Sequence, residues 1–213
     1  MECVICLTLI VLLRHGQAQN NVERVLAGRT PGFELTENGI KQAQSAAILL
    51  ESLRISHIYS SPITRARQTA EIVSDVLSSD ITLDDRLLEL DMGKFTGMKY
   101  ADIEPAYGNV FEKFYYGHPE VTESGIETFA DVKSRMSDIM DYVVARHANE
   151  NVLLVTHMDP IKAMLSNVAN MHPQSLYRLL IANASLTILG YSDGALSLMG
   201  VNVMDTDRFN HNW

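Results

Sequence analysis

The order of apolar runs and helical stretches predicts a three-layer α/β/α sandwich with a mainly parallel central sheet. Three observations carry that expectation. Short apolar runs that read as buried strands, Leu7–Leu13, Ile55–Ser60 and Asn151–Thr156, alternate with longer segments of helical periodicity. The first and the last of these lead almost directly to a histidine, His15 and His157. Between Met92 and Ser124 the texture changes to glycine, proline and aromatic residues, which predicts a small, partly helical cap inserted into the sandwich.

The elements follow in order. Leu7–Leu13 is apolar enough for a strand covered on both faces. Gly28 to Gly32, with Pro31 between, reads as a loop. Thr36 is placed to cap a helix that carries Glu37 and Gly39 in its first turn and Gln42, Ala43, Ala46, Ala47 and Leu50 behind them. After the strand Ile55–Ser60, Ser61-Pro62 starts a helix through Thr64, Arg65, Gln68 and Thr69 toward Val76, since proline is at ease in a first turn. Ile81–Leu83 is a short strand, and Leu87–Leu90 leads into a loop. In the cap, Tyr107, Phe111, Phe114, Tyr115 and Tyr116 cluster. Ile126–Ala145 is a long helix whose Phe129, Val132, Met136, Ile139 and Val143 recur every three or four residues. Asp159-Pro160 caps a further helix to about Val168. Ser185–Leu189 and Leu196–Val203 read as late strands joined by the turn Ser192-Asp193-Gly194, and their exposed edge can support a homodimer.

With 213 residues, 46% of them hydrophobic, the chain is long enough for one domain, 1–213, with a cap subregion at about 92–124. The net charge of -9 opposes non-specific nucleic-acid and anionic-membrane binding, so neither is an expected partner. It also repels anionic substrates at long range, so a phosphate site here must be a local cationic pocket. The N-terminal apolar stretch is too short to span a bilayer, and it lacks a basic region and a small-residue cleavage site; the cytoplasm is the expected location. Cys3 and Cys6 have C-x-x-C spacing, but the pair enters a strand and no second pair completes a zinc site, so both read as structural or incidental.

Charged residues at the end of a buried strand must face a cleft or carry a pairing cost. Phosphoryl transfer needs a nucleophile, a cationic cradle and a proton donor for the leaving oxygen. His15 can be the nucleophile through a neutral ring nitrogen. Arg14, Arg65 and His157 can surround the phosphoryl group, arginine because its rigid fork holds two oxygens at once. Glu89 can protonate the leaving alkoxide and then activate water, a role that a raised pKa favours. Gly16 removes a side chain where backbone N–H groups could approach an anion. Each of these residues also has a plain reading: a structural histidine, a surface arginine, a loop carboxylate. None of the seven histidines forms H-x-x-H or H-E-x-x-H, and arginine beside a ligand histidine opposes a cation, so neither a metal nor another cofactor is expected. His57 and His147 read as structural or solvent-facing, the latter suited to a helix end.

From Leu9 to about Leu189 the chain resembles the histidine phosphatase superfamily, the phosphoglycerate-mutase-like proteins. Arg14-His15-Gly16 is similar to the signature triplet, which makes His15 the residue that is phosphorylated. Asn21 matches the asparagine five residues after the signature glycine, a substrate contact in that pattern. Gly28, Leu35-Thr36-Glu37, Gly39, Gln42 and Ala43 match the loop and helix start that follow. Ser61 to Ala70 matches the second signature and makes Arg65 the second phosphate-binding arginine; Leu87 to Gly93 matches the segment bearing the acid, Glu89; Val155-Thr156-His157 matches the strand with the second catalytic histidine. The departures touch the pocket rim: Gln17-Ala18 for the usual Glu-Thr, Asn20 for a frequent tryptophan, Met158 for a glycine, and Thr96 for a glutamate. Met158 thereby becomes a candidate substrate contact beside Arg14, Gly16, Asn21, Arg65 and His157.

The resemblance implies either hydrolysis or mutase chemistry. A mutase brings an arginine-rich cap, and the stretch from Met98 to Ser124 has no arginine, only Lys99, Lys113 and His118 among five acids. The expectation is therefore a metal-independent phosphomonoester hydrolase acting through phosphohistidine on small phosphorylated metabolites. A cofactor-dependent phosphoglycerate mutase is the alternative, since Arg24, Arg29 and Lys94 could reach a substrate carboxylate. A non-catalytic phosphate-ligand binding module is the second.

Overall fold

The computed structural model of the chain describes residues 7–203. The Cys3–Cys6 pair and the Thr206–Trp213 tail lie outside the described residues. Among those residues one sheet forms from β1 (Thr8–Arg14), β2 (Ile55–Ser60), β3 (Ile81–Leu83), β4 (Asn151–Thr156), β5 (Leu186–Ser192) and β6 (Ala195–Val203), in the order β3-β2-β4-β1-β5-β6. The β1/β4, β2/β4 and β2/β3 pairings are parallel, while β5 runs antiparallel to β1 and β6 to β5. The sheet is thus mixed and mostly parallel. The β5–β6 hairpin closes through Asp193-Gly194 with φ of 51° and 79°, the two left-handed residues that a tight twisted hairpin requires.

The helices are α1 (Gln19–Glu23), α2 (Glu37–Glu51), α3 (Thr64–Leu77), α4 (Tyr100–Tyr107), α5 (Val110–Tyr115), α6 (Pro119–Glu123), α7 (Phe129–Arg146), α8 (Met158–Ala169) and α9 (Pro173–Tyr177). Successive strand residues point to opposite faces, and β1 is apolar on both. Leu9, Val11 and Leu13 pack against Ala46, Ala47 and Leu50 of α2 and Ala66, Ala70 and Val73 of α3. Ile10 and Leu12 pack on the other side against Met136, Ile139 and Val143 of α7 and Ile161, Met164 and Leu165 of α8. Each such fully buried aliphatic side chain contributes about 1.5–3 kcal/mol. Ile103, Val110, Phe114, Tyr115 and Val121, from the segment inserted before α7, join the same cluster as Ile10 and Leu12. The expected cap is therefore helical and shares the core of the sandwich.

Thr36 caps α2 as its sequence predicts, its hydroxyl accepting from the Gly39 N–H at 3.0 Å. Three other helix starts differ from expectation. Ser61 is held by a 2.9 Å bond to the Val155 carbonyl and its hydroxyl accepts from the Ile63 N–H at 3.3 Å, so Ser61-Pro62 forms the turn before α3 and Ile63 takes the cap. α7 begins at Phe129 behind a reciprocal Thr128–Asp131 capping box, with Ile126 buried ahead of it. α8 begins at Met158 with His157 at the cap, so Asp159-Pro160 lies inside the first turn. That turn leaves a proline without its N–H at no cost. Among the described residues no helix is long and apolar enough to cross a membrane.

Candidate active site

The sheet register builds the site. Arg14 and Thr156 are partners at the carboxyl ends of the adjacent parallel strands β1 and β4, and the His15 N–H donates to the Thr156 carbonyl at 3.0 Å. The next residues, His15 and His157, therefore emerge side by side, their ring centroids 5.1 Å apart and their planes at 61°. This is the edge at which ligands bind in open α/β sheets. Both histidines are buried. The loop after His15 is fixed by close backbone approach: a Cβ on Gly16 would lie 2.5 Å from the Gly39 carbonyl oxygen, and one on Gly39 1.9 Å from that of Gln17. The Gly16 N–H donates to the Thr69 hydroxyl at 3.1 Å. Gly16 is thus needed to admit α2, and its N–H is taken rather than turned toward an anion as its sequence suggested.

A hydrogen bond fixes the state of the His15 ring. His15 Nδ1 lies 2.7 Å from the Gly16 carbonyl oxygen, which can only accept, so Nδ1 carries the proton. Nε2 is left with its lone pair, facing Arg65 Nε at 3.1 Å. Burial and then the positive charges of Arg65 and Arg14 push the His15 pKa well below the usual histidine range, so the ring is neutral. His157 Nε2 lies 2.8 Å from the Ser61 hydroxyl, which accepts from Ile63 and still has both a donor and a second acceptor site, so this contact suits either ring tautomer. Burial and then Arg65 also hold this ring neutral.

Arg14 donates to the Ile181 carbonyl through Nη1. Arg65, only 2% exposed, donates to His15 and, through Nη2, to the Gly28 carbonyl at 2.9 Å. Arg14 Nε, Arg65 Nη1 and His157 Nδ1 are buried and have no partner. Each buried polar atom left so costs about 1–3 kcal/mol. The two arginine donors line one cavity with the neutral, lone-pair-bearing His15, an arrangement that can receive an anion.

Glu89 reaches the same pocket on a segment clamped from several sides. The Thr156 hydroxyl donates to the Leu87 carbonyl at 2.7 Å, Arg135 Nη1 to that of Leu88 at 2.6 Å, and Arg29 Nε to that of Glu89 at 3.0 Å. Glu89 Oε1 accepts from the Leu90 N–H at 2.9 Å and the Asp159 N–H at 3.4 Å. Burial, then the charge of Asp159, raises the Glu89 pKa to about 7 against the opposing pull of Arg65 and Arg14. A group so placed can hold or release a proton near neutrality.

The cavity over His15 holds about 50 Å³. Arg14, His15, Arg65 and Glu89 line it, with Asn20, Asn21, Met92, Tyr100, Phe111, Met158 and Asp159 at its sides. Asn21 Oδ1 is taken by the Ala18 N–H at 2.9 Å and by Asn183 at 3.4 Å. Of the clustered cap aromatics, Phe111 reaches this cavity; Phe114 and Tyr115 are core residues, Tyr107 packs edge-on against Phe95, and Tyr116 is exposed. Arg29 is not free for a substrate carboxylate, since it pairs with Glu127 at 3.0 Å and Asp91 at 3.8 Å. Lys94 lies over the rings of Phe95 and Tyr107 in a separate cavity of about 460 Å³. The sequence pattern does not mark Met92, Tyr100 or Asp159 as site residues, and the fold brings all three to this cavity. Asp159 carried a usable signal, because the first turn of a helix that follows His157 faces the same cleft. Among the described residues no group of three or more His, Cys, Asp or Glu side chains could hold a metal ion.

The chain is 34% identical over 203 residues to a 2,3-bisphosphoglycerate-dependent phosphoglycerate mutase of Thermoplasma acidophilum, covering 93% of this chain and 95% of that one. It is 26% identical over 197 residues to phosphoserine phosphatase 1 of Hydrogenobacter thermophilus, covering 91% and 92%. The structure of a mycobacterial glucosyl-3-phosphoglycerate phosphatase superposes with a TM-score of 0.82 at 27% identity, covering 92% of this chain and 99% of that one. The profile of the histidine phosphatase superfamily (branch 1) matches residues 10–204. The chain belongs to the histidine phosphatase superfamily, branch 1, a family of phosphohistidine-type phosphatases and mutases of small phosphorylated metabolites.

Proposed function

We propose that this protein is a metal-independent phosphomonoester hydrolase that works through a phosphohistidine at His15 Nε2. One observation carries the reading: a neutral histidine whose unprotonated Nε2 meets only the Arg65 Nε–H sits with Arg14 and Arg65, each of which keeps a buried N–H without a partner. In the first step the Nε2 lone pair attacks phosphorus while Arg14, Arg65 and His157 bind the phosphoryl oxygens. The ester P–O bond breaks, and the leaving oxygen takes the proton of Glu89. In the second step the Glu89 carboxylate removes a proton from water as the water oxygen attacks phosphorus. The P–N bond breaks, its electrons return to His15, and inorganic phosphate leaves. Gly16 supports this site by letting α2 approach; Asn21 and Met158 contact the substrate from the rim.

The cavity of about 50 Å³ suits a phosphoryl group. The leaving group must pass the side chains of Met92, Tyr100, Phe111 and Met158, which supports a small or narrow alcohol. The mutase reading is favoured by the Thermoplasma relative. It needs a further cation for a substrate carboxylate; Arg29 is already paired and Lys94 lies in a separate cavity, which leaves the exposed Arg24 for that role. The test is product analysis of the purified protein with a panel of phosphomonoesters, and with 3-phosphoglycerate with and without 2,3-bisphosphoglycerate, each repeated with chelator. Phosphate release without isomerisation, unaffected by chelator, is expected. Bisphosphate-dependent conversion to 2-phosphoglycerate would replace hydrolase by mutase, and no turnover or phosphoenzyme with any donor would leave a binding module.

A further inference from the structure

The mechanism above uses Glu89 but leaves unexplained the buried charged residues beside it. Asp159 is 5% exposed and Lys162, one helical turn further along α8, is 2% exposed. Two ionisable side chains do not enter a core without a compensating partner. Asp159 has two contacts. Its N–H donates to Glu89 Oε1 at 3.4 Å, and its carboxylate accepts from the hydroxyl of Tyr115, the last residue of the cap helix α5. Lys162 Nζ lies over the Tyr115 ring, 5.0 Å from its centre. Tyr115 is itself buried and packs edge-on against Phe114 and tilted against Phe129 and Tyr177, so its hydroxyl is aimed by the core rather than by solvent.

We propose that Asp159 is a positioning residue for the proton of Glu89, holding the carboxyl group through its backbone N–H and holding the proton through its own negative charge, and that Tyr115 of the cap fixes Asp159 in that role. This rests on the hydrolase reading. Glu89 Oε1 accepts from two N–H groups, Leu90 and Asp159, as a carbonyl-type oxygen does. The proton therefore sits on Oε2, the oxygen that takes neither bond. A second carboxylate in the same low-dielectric pocket opposes loss of that proton. The charges facing Glu89 are Arg14 from β1, Arg65 from α3, and Asp159 and Lys162 from α8, with the neutral hydroxyls of Tyr100 and Tyr115 from the cap. Burial opposes ionisation of Glu89 most, Arg65 and Arg14 favour it, and Asp159 is the charged group that acts with burial against them. Because Tyr115 belongs to the cap, the acid is set in its working state only where the cap is packed onto α8.

The test compares kcat/KM against pH for the parent, Asp159→Asn and Tyr115→Phe, each with an alkyl phosphate and with an aryl phosphate. The amide keeps the backbone N–H and the shape and removes the charge. The basic limb for the alkyl phosphate is expected to move to lower pH by about one unit in Asp159→Asn and in the same direction, by less, in Tyr115→Phe. The aryl phosphate, whose leaving group needs little protonation, reports that the variants are folded and can form phosphohistidine. A second readout is the carboxyl titration of isotopically labelled Glu89 by NMR, which is expected to fall by the same amount. An unchanged basic limb and an unchanged titration in active Asp159→Asn would overturn the proposal. A parent inert to every phosphomonoester would instead overturn the hydrolase reading, while the titration would still report on Asp159.

Discussion

Two pairs of histidines pack at opposite ends of the sheet, and they are built differently. His15 and His157 follow the carboxyl ends of β1 and β4; their centroids are 5.1 Å apart. His57 lies near the start of β2 and His147 caps the end of α7 before β4; their centroids are 5.3 Å apart and the rings stack at 24°. At the second pair the polar atoms are used. His147 meets the Tyr59 hydroxyl through Nε2 and Glu150 through Nδ1, both at 2.8 Å, and His57 Nε2 meets the Thr82 hydroxyl at 2.9 Å. At the first pair His157 Nδ1 and two arginine N–H groups have no partner. A close histidine pair is therefore common to both ends and says little. What separates them is that unpartnered buried nitrogens of Arg14, Arg65 and His157 gather beside the first pair.

The comparison breaks first at His15. His15→Ala is expected to lower phosphate release by at least about ten-thousandfold, because in the proposed mechanism His15 alone carries the phosphoryl intermediate. Near-parental turnover in that variant would remove the first pair from catalysis. Glu89→Gln is expected to lower kcat/KM for alkyl phosphates by about 100- to 10,000-fold and for aryl phosphates far less. Equal losses for both would take the proton-donor role from Glu89. Arg65→Ala removes a cradle donor and the group that faces Nε2, and is expected to cost about 100- to 1,000-fold in kcat. His147→Ala sharpens the contrast from the other end: turnover stays near parental, while urea unfolding shows a loss of about 1–3 kcal/mol from the orphaned Tyr59 hydroxyl. A large loss of turnover there, with the fold retained, would mean that the two ends are coupled.

The pH dependence follows from the same asymmetry. His15 must be neutral to attack, and burial with Arg65 beside it keeps it neutral to well below the ordinary 6.5. Glu89 must be protonated to donate, and it loses its proton at about 7. With poor leaving groups kcat/KM is thus expected to fall as pH rises through about 7 and to hold on the acid side until His15 gains its proton. A basic limb that persists unchanged in Glu89→Gln would assign it to another group.

Much of this was legible in the chain before folding, for local reasons. Continuous apolar runs place β1 and β4 and bury both of their faces, because side chains alternate across a strand whatever its neighbours are, while β2 is buried along its second half. Histidine directly after such a strand marks its carboxyl end, and the Arg65 helix and the Glu89 loop were legible from sequence pattern and family resemblance. The helix starts were less legible: Ser61-Pro62 and Asp159-Pro160 carry the composition of a first turn, yet the strand register decided where the turn began. The tertiary structure alone decided what depends on contacts between distant segments. The pairing of Arg14 with Thr156 sets the two catalytic-looking rings side by side across 142 residues of chain, the same separation that joins Leu9 to Asn151 in the sheet. Arg29 reads as a free cation in sequence and is spent on Glu127 and Asp91 in the fold. Asp159 reads as a helix cap and becomes the partner of Tyr115 and Glu89. A side chain's type is fixed by the sequence, but whether its polar atoms are satisfied is a property of its neighbours, and at this site that satisfaction is what separates structure from chemistry.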